Sequence, residues 1–364
     1  MHRRDFLART GALAGLAATR GTVAPAAGSP RGLQSPDRLV INGLDPSVLS
    51  KTYVEMQRAA GIDCWHISMD ALGSFSAAYR FVDRHPELVT VITTVEQIHA
   101  AKRQRKLGLL FGWQSADPLS GPRSGPNDWW SVESRTDLRA YYQLGLRISG
   151  IAYQITNAFG GGGIDGHVGL SRAGRRLVDE IHSLKIILDV GGHTGDQTSL
   201  DALAISSGVP VICSHGNTRA LANSTRNLSD RLIEAIAKTG GVIGIVAISD
   251  FVMRGKEMAN VEPSPLGTVD DMVRHADHIK KLVGAQHVGL GPDFTHGMSL
   301  TRDYALFGPD VMDKGPRRYV KGFESVTELP NVIAALERRG WTRPEVDGCL
   351  GGNWARVYRQ VWGA

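Results

Sequence analysis

Eight short apolar runs, separated mostly by stretches that can hold a helix, constrain this chain more than any other feature. They read LVING (39–43), IDCWHIS (62–68), LGLLFGW (107–113), ISGIAYQIT (148–156), KIILDVG (185–191), VPVICSH (209–215), GVIGIVAI (241–248) and HVGLGPD (287–293). Between them lie patterns such as RAGRRLVDEIHSL, SDRLIEAIAKTG and VDDMVRHADHIKKLVG. Strands that alternate with helices pair in parallel, and continuous apolar strands are covered on both faces. Eight such units imply an α/β fold, a (β/α)8 TIM-like barrel. A doubly wound open sheet is the alternative, but no Gly-rich dinucleotide fingerprint opens the first unit.

The ends of the chain suggest its organisation. MHRRDFLARTGALAGLAATRGTVAPAAG carries Arg3-Arg4 before a weakly apolar Ala/Gly/Leu stretch and small residues near Ala27. This pattern resembles a twin-arginine export signal over 1–27, which predicts a periplasmic or secreted protein. Its apolar part is too short to span a membrane. Residues 28–38 read as a Gly/Ser/Pro-rich linker, leaving 39–364 as a single barrel domain. The formal charge of +5 is modest, and no Lys/Arg block is interleaved with aromatics, which argues against a nucleic-acid partner. Cys64, Cys213 and Cys349 form no CxxC, and the first two lie in apolar strand patterns as expected of inert thiols.

In a barrel of this kind the loops after the strands converge on the active site. The runs end in a set of polar groups: Asn42 and Asp45, His66, Gln114, Gln154 with Thr156 and Asn157, Asp189 and His193, His215, and Asp293. Two imidazoles with one or two carboxylates at such a rim can hold Zn²⁺ or a similar ion. The ion would acidify a bound water and polarise a carbonyl. The plain reading, hydrogen-bonded residues lining the barrel mouth, stays open for each, and for His66 above all. The Pro/Gly-rich stretches 117–135, 251–268 and 307–330 read as walls or lids, with Trp129-Trp130 in the first. His275 and His278, one turn apart on a helix, are expected on the outer layer. His167 and His296 are uncommitted, while Asn353 and Trp354 are expected to pack and cap.

The SH of the sixth run, RNLSD at 226–230, the GGVIG run and the GPDF turn resemble the membrane (renal) dipeptidase family of metallohydrolases, colinearly over most of 39–358. That resemblance implies a dipeptide-hydrolysing barrel that holds two zinc ions and is often dimeric. It makes His215 and His193 metal ligands, although DVGGHT is one residue longer than the family's spacing. Arg226 becomes the clamp for the substrate carboxylate, and Asp293 the group that moves a proton from water to the leaving amine. The departures are equally informative. Leu44 stands near the histidine and Asp45 or Pro46 near the aspartate of the family's His-x-Asp, Gln114 stands for a bridging glutamate, and YQITN lacks a substrate-contacting histidine. These features are similar to a bacterial branch of the family that lacks the His-x-Asp motif.

The sequence therefore predicts an exported dipeptidase-like hydrolase for a dipeptide or small amide, with metal-bound water as nucleophile. The expected metal shell is His193, His215 and Gln114, holding one divalent ion rather than two, or none. Asp293 is the expected catalytic residue. Arg226, Gln154, Asn157 and His66 are the expected substrate contacts, with no membrane span and a homodimer as one assembly. The competing expectation is a catalytically altered homologue, a tailoring enzyme or small-molecule binding protein, that has lost the two-zinc site.

Overall fold

The computed structural model describes residues 38–119, 132–253, 265–298 and 319–363. The leader, Trp129-Trp130 and most of the three long Pro/Gly-rich stretches lie outside them. The strands are β1 (Ile41–Asn42), β2 (Cys64–Ser68), β3 (Val89–Val91), β4 (Leu107–Trp113), β5 (Leu146–Ser149), β6 (Ile187–Leu188), β7 (Ile243–Ile245) and β8 (Val288–Leu290). The helices are α1 (Lys51–Ala59), α2 (Leu72–Arg84), α3 (Val95–Arg103), α4 (Val132–Gln143), α5 (Arg172–Ser183) and α6 (Asp196–Ile205). They continue with α7 (Asp230–Lys238), α8 (Ser249–Val252), α9 (Val269–Val283), α10 (Leu329–Arg338), α11 (Arg343–Asp347) and α12 (Asn353–Trp362). None of the described helices is long and apolar enough to cross a membrane.

All named strand pairs are parallel, in the order β1-β2-β4-β5-β6 with β3 also on β4, and β7 beside β8. Parallel bridges Asp189–Ile212 and Cys213–Ile243 carry the ring from β6 through the segment 211–213 to β7. The Gly43 amide donates to the Leu290 carbonyl at 2.8 Å and joins β8 back to β1. The eight expected staves thus form one (β/α)8 barrel.

Three details differ from the sequence expectation. β3 is an extra short strand. The stave expected at 148–156 leaves the sheet after Ser149, and the run at 209–215 pairs only through isolated bridges. The central strand β4 shows why the fold reads as apolar throughout. Leu107, Leu109, Phe111 and Trp113 join the outer core beneath the helices, while Leu110 joins the inner core with Ile41, Ile148, Ile187 and Ile212. Successive side chains of a strand point to opposite faces, so a stave covered on both sides shows no polar alternation. The covering helices are locally specified: α5 is capped by Ser171 and buries Leu177, Val178 and Ile181, and α9 starts in a Thr268–Asp271 capping box.

Helix α12 closes the end of the barrel opposite the site. The Trp354 indole is fully buried, and a Cβ on Gly43 or Gly289 would come within 2.6 Å or 2.5 Å of it. Asn353 donates to the carbonyls of Ala285 and Val288, so both residues pack and cap as expected. Cys64, Cys213 and Cys349 are all buried free thiols.

His275 faces inward from α9 and ties two loops of the mouth together. Its Nδ1 accepts from the Thr218 amide at 3.0 Å, and its Nε2–H donates to Val252 O at 3.1 Å. This pairing needs a neutral ring, and burial pushes its pKa from 6.5 down to about 4. The stabilisation is therefore complete above pH 6.5 and is lost as pH falls toward 4, at about 1.4 kcal/mol per pH unit. His275→Gln, which keeps an acceptor and a donor but does not titrate, is expected to flatten that dependence. Denaturant unfolding of both proteins at the two limits of the window checks it, and equal slopes would refute it.

Candidate active site at the strand ends

The site begins with His193 and His215, which follow β6 and the 211–213 segment. Both are buried, and their rings lie 4.9 Å apart at 50°. The extra residue of DVGGHT is absorbed in a tight turn. The Thr194 amide donates to Gly191 O at 2.9 Å and the Gly192 amide to His215 O at 3.1 Å, so His193 still reaches its neighbour.

Each ring is oriented from behind. His193 Nδ1 lies 3.2 Å from Ala152 O, and a carbonyl only accepts, so Nδ1 carries the proton. Nε2 then presents a lone pair, and it has no hydrogen-bond partner among the described residues. Burial first, and the Arg226 charge second, push this imidazole down to about 3, so the ring stays neutral.

His215 is set by a relay. Asp189 accepts from the Ser214 hydroxyl, from the Ser214 amide at 2.9 Å and from the Gly191 amide at 2.8 Å. Ser214 Oγ in turn lies 2.8 Å from His215 Nδ1. The hydroxyl has one proton and gives it to the carboxylate, so Nδ1–H donates to Oγ and Nε2 keeps its lone pair. Burial raises Asp189 to about 6, which leaves it ionised at neutral pH and able to accept.

Arg226 and Asp293 complete the group. Arg226 Nη2 is 4.0 Å from Asp293 Oδ2, and both side chains are buried. The guanidinium carbon lies 4.9 Å from the Phe251 ring centre and 5.9 Å from that of Tyr153, which itself packs 4.7 Å from His193. Arg226 Nε is buried without a hydrogen-bond partner among the described residues. A planar cation held between rings, with an N–H still to satisfy, suits a carboxylate. Asp293 has φ 59° and Gln154 φ 61°, the left-handed region that costs a residue with a side chain about 1–3 kcal/mol. Arg105 and Lys185, the other non-glycine residues of this kind among the described residues, follow helices α3 and α5.

The remaining sequence candidates separate. Gln114 follows β4 and donates from Nε2 to Ser68 Oγ at 2.9 Å, which leaves its carboxamide oxygen as the group it can offer. Asn157 is fully engaged within its loop: its amide nitrogen donates to Asp117 Oδ1 and Ile151 O, and its oxygen accepts from the Phe159 and Gly160 amides. All four hydrogen-bonding positions are used, so Asn157 ties this loop together. His66 is fully buried. Its Nδ1 faces Gly43 O, and its Nε2 lies against Gly112, where a Cβ would approach to 2.0 Å.

The departures at β1 have a structural explanation. Asp45 accepts from Asn42, the Ser47 amide, Tyr53 (2.6 Å) and Gln57, so its carboxylate belongs to a buried network against α1. Leu44 is buried apolar core. No cluster of three or more His, Cys, Asp and Glu suited to a metal ion occurs among the described residues. A two-ion centre therefore does not fit the described donor set. The two imidazoles do fit part of the shell of one ion, since both offer a second nitrogen fixed by an outer partner.

The membrane dipeptidase family (Peptidase family M19) matches residues 68–307 and 305–363. The chain belongs to this family. Dipeptidase tcpJ of Claviceps purpurea is 30% identical over 304 residues, which cover 81% of this chain and 61% of that protein. This chain thus matches less than two thirds of the fungal relative's length. An uncharacterized protein from the pqqA 5′ region of Klebsiella pneumoniae is 32% identical over 233 residues, covering 62% of this chain and 76% of that one. Among solved structures, an amidohydrolase from Pseudomonas aeruginosa aligns with a TM-score of 0.80 at 27% identity, over 92% of this chain and all of that one (100%). Dipeptidase AC, at 20% identity and a TM-score of 0.71, shares the fold over 90% of this chain and 99% of its own.

What the sequence reading missed is the support around the site. Ser214 stands directly before His215, and Asp189 ends a buried strand; that pairing is the signal that could have revealed the relay. Tyr153 and Phe251, which flank Arg226, gave none.

Proposed function

We propose that this protein hydrolyses the amide bond of a dipeptide or similar small amide bearing a free carboxylate, with a single divalent ion, zinc by donor type, held by His193 and His215. The observation that carries the reading is the grouping of two neutral, rear-anchored imidazoles with Arg226 and Asp293. The ion, when bound, supplies a Lewis acid that polarises a carbonyl and lowers the pKa of water. Arg226 binds and orients the substrate carboxylate, fixing the scissile amide relative to the histidines. Asp293, 4.0 Å from Arg226, takes a proton from attacking water on its carboxylate and returns it to the leaving nitrogen. Phe251 and Tyr153 shield the guanidinium from water, which strengthens its hold on an anion. The same proposal puts this activity outside the cytoplasm, a reading supported by the resemblance of the Arg3-Arg4 leader to a twin-arginine signal.

The test is the purified full chain assayed on a panel of dipeptides, with metal content measured in parallel. Hydrolysis together with about one bound ion per chain is expected. Absence of hydrolysis with zinc supplied would refute the activity, and two tight ions would refute the single-ion shell.

A further inference from the structure

We propose that Gln154 determines specificity by accepting an N–H from the substrate's amino end, so that the site selects a molecule with an ammonium at one end and a carboxylate at the other. The inference rests on the amide-hydrolase reading above and deepens it. Gln154 follows β5 in the turn that backs His193: its amide donates to His193 O at 2.9 Å. Its neighbour Tyr153 packs on the His193 ring. The Gln154 side chain is buried, with 4% of the residue exposed, and its Oε1 has no hydrogen-bond partner among the described residues. Leaving such an acceptor unsatisfied costs about 1–3 kcal/mol, and the φ of 61° adds backbone strain. A residue held at that cost at the edge of a site is a candidate for ligand recognition.

The surroundings select the ligand's chemistry. A Cβ placed on Gly163 would lie 3.1 Å from Gln154 Oε1, 3.5 Å from His193 O and 3.6 Å from Gly192 O. Because residue 163 is glycine, three oxygens border a space that a side chain would fill, and all three can only accept. His193 O already accepts from the Gln154 and Gly163 amides. Oε1 is thus the side-chain oxygen here with acceptor capacity left, beside the Gly192 carbonyl, in a local field that favours a cation and repels an anion. A primary ammonium fits this, and Arg226 takes the opposite charge.

The experiment is titration calorimetry of the full chain with alanyl-alanine and with propionyl-alanine, which has the same shape without the ammonium. Wild type is expected to bind alanyl-alanine about tenfold more tightly, the value of one charge-assisted hydrogen bond. In Gln154→Leu the two affinities should converge to within about twofold, because the loss falls on the ammonium ligand alone. Gln154→Glu, which keeps the acceptor, should retain the preference, and thermal melts confirm that both variants fold. A preference that survives in Gln154→Leu overturns the assignment, as does equal binding of both ligands by wild type, while the hydrolase reading then stands. Failure of wild type to bind either ligand overturns that reading as well.

Discussion

Replacing His193 with alanine is expected to lower zinc affinity by more than about 100-fold and to remove hydrolysis with it. Loss of an outer-shell partner alone typically costs 10–100-fold, and loss of the ligand itself costs more. The expectation follows from the buried Nε2 that has no protein partner among the described residues and from a ring kept neutral down to about pH 3. A proton therefore does not compete at this nitrogen in ordinary buffers. Competition against a chromophoric chelator gives the affinity. His278→Ala serves as the control, since that ring pairs with Asp230 on the outer layer. Wild-type affinity in His193→Ala would remove the residue from any metal shell.

The second large effect is at Arg226. Arg226→Ala is expected to reduce kcat/KM by about 100-fold, because a buried charged group that loses its partner forfeits about 2–5 kcal/mol. Most of the change should appear in KM, since a clamp on the carboxylate acts in the ground state and the transition state alike. Arg226→Lys restores the charge without the planar fork and should recover only part of the loss. Comparing a dipeptide with its C-terminal amide separates binding from folding: wild type should prefer the carboxylate and Arg226→Ala should not. An unchanged preference would take Arg226 out of the site.

The barrel was legible because its staves are apolar without interruption, as strands covered on both faces must be. β3 escaped notice because Val89–Val91 is a three-residue addition to the edge of β4, with no stave of its own to complete. The boundary of β5 was misjudged because Ile151 and Ala152 are as buried as any strand residue, though the chain has already left the sheet. At the site, His193, His215 and Asp293 were visible as polar residues closing or following apolar runs, whereas Arg226 was visible only through the resemblance carried by RNLSD. Asn157 and His66 looked alike in sequence and proved different, because whether a polar side chain is already satisfied depends on partners far along the chain. Asn157 is held by Asp117, forty residues earlier, and no local pattern announces that bond.

The indole that seats between Gly43 and Gly289 has a consequence for assembly. Trp354 lies 64 residues beyond Leu290, whose carbonyl it meets, and every stave precedes it. Until that distant cork arrives, the cylinder's lower bore is open to water, so strand pairing by itself cannot yield a dry interior. Sealing it requires closure of a long loop, an entropic toll that grows slowly with length but delays completion. The docking of α12 is thus what turns a circle of paired strands into a sealed vessel.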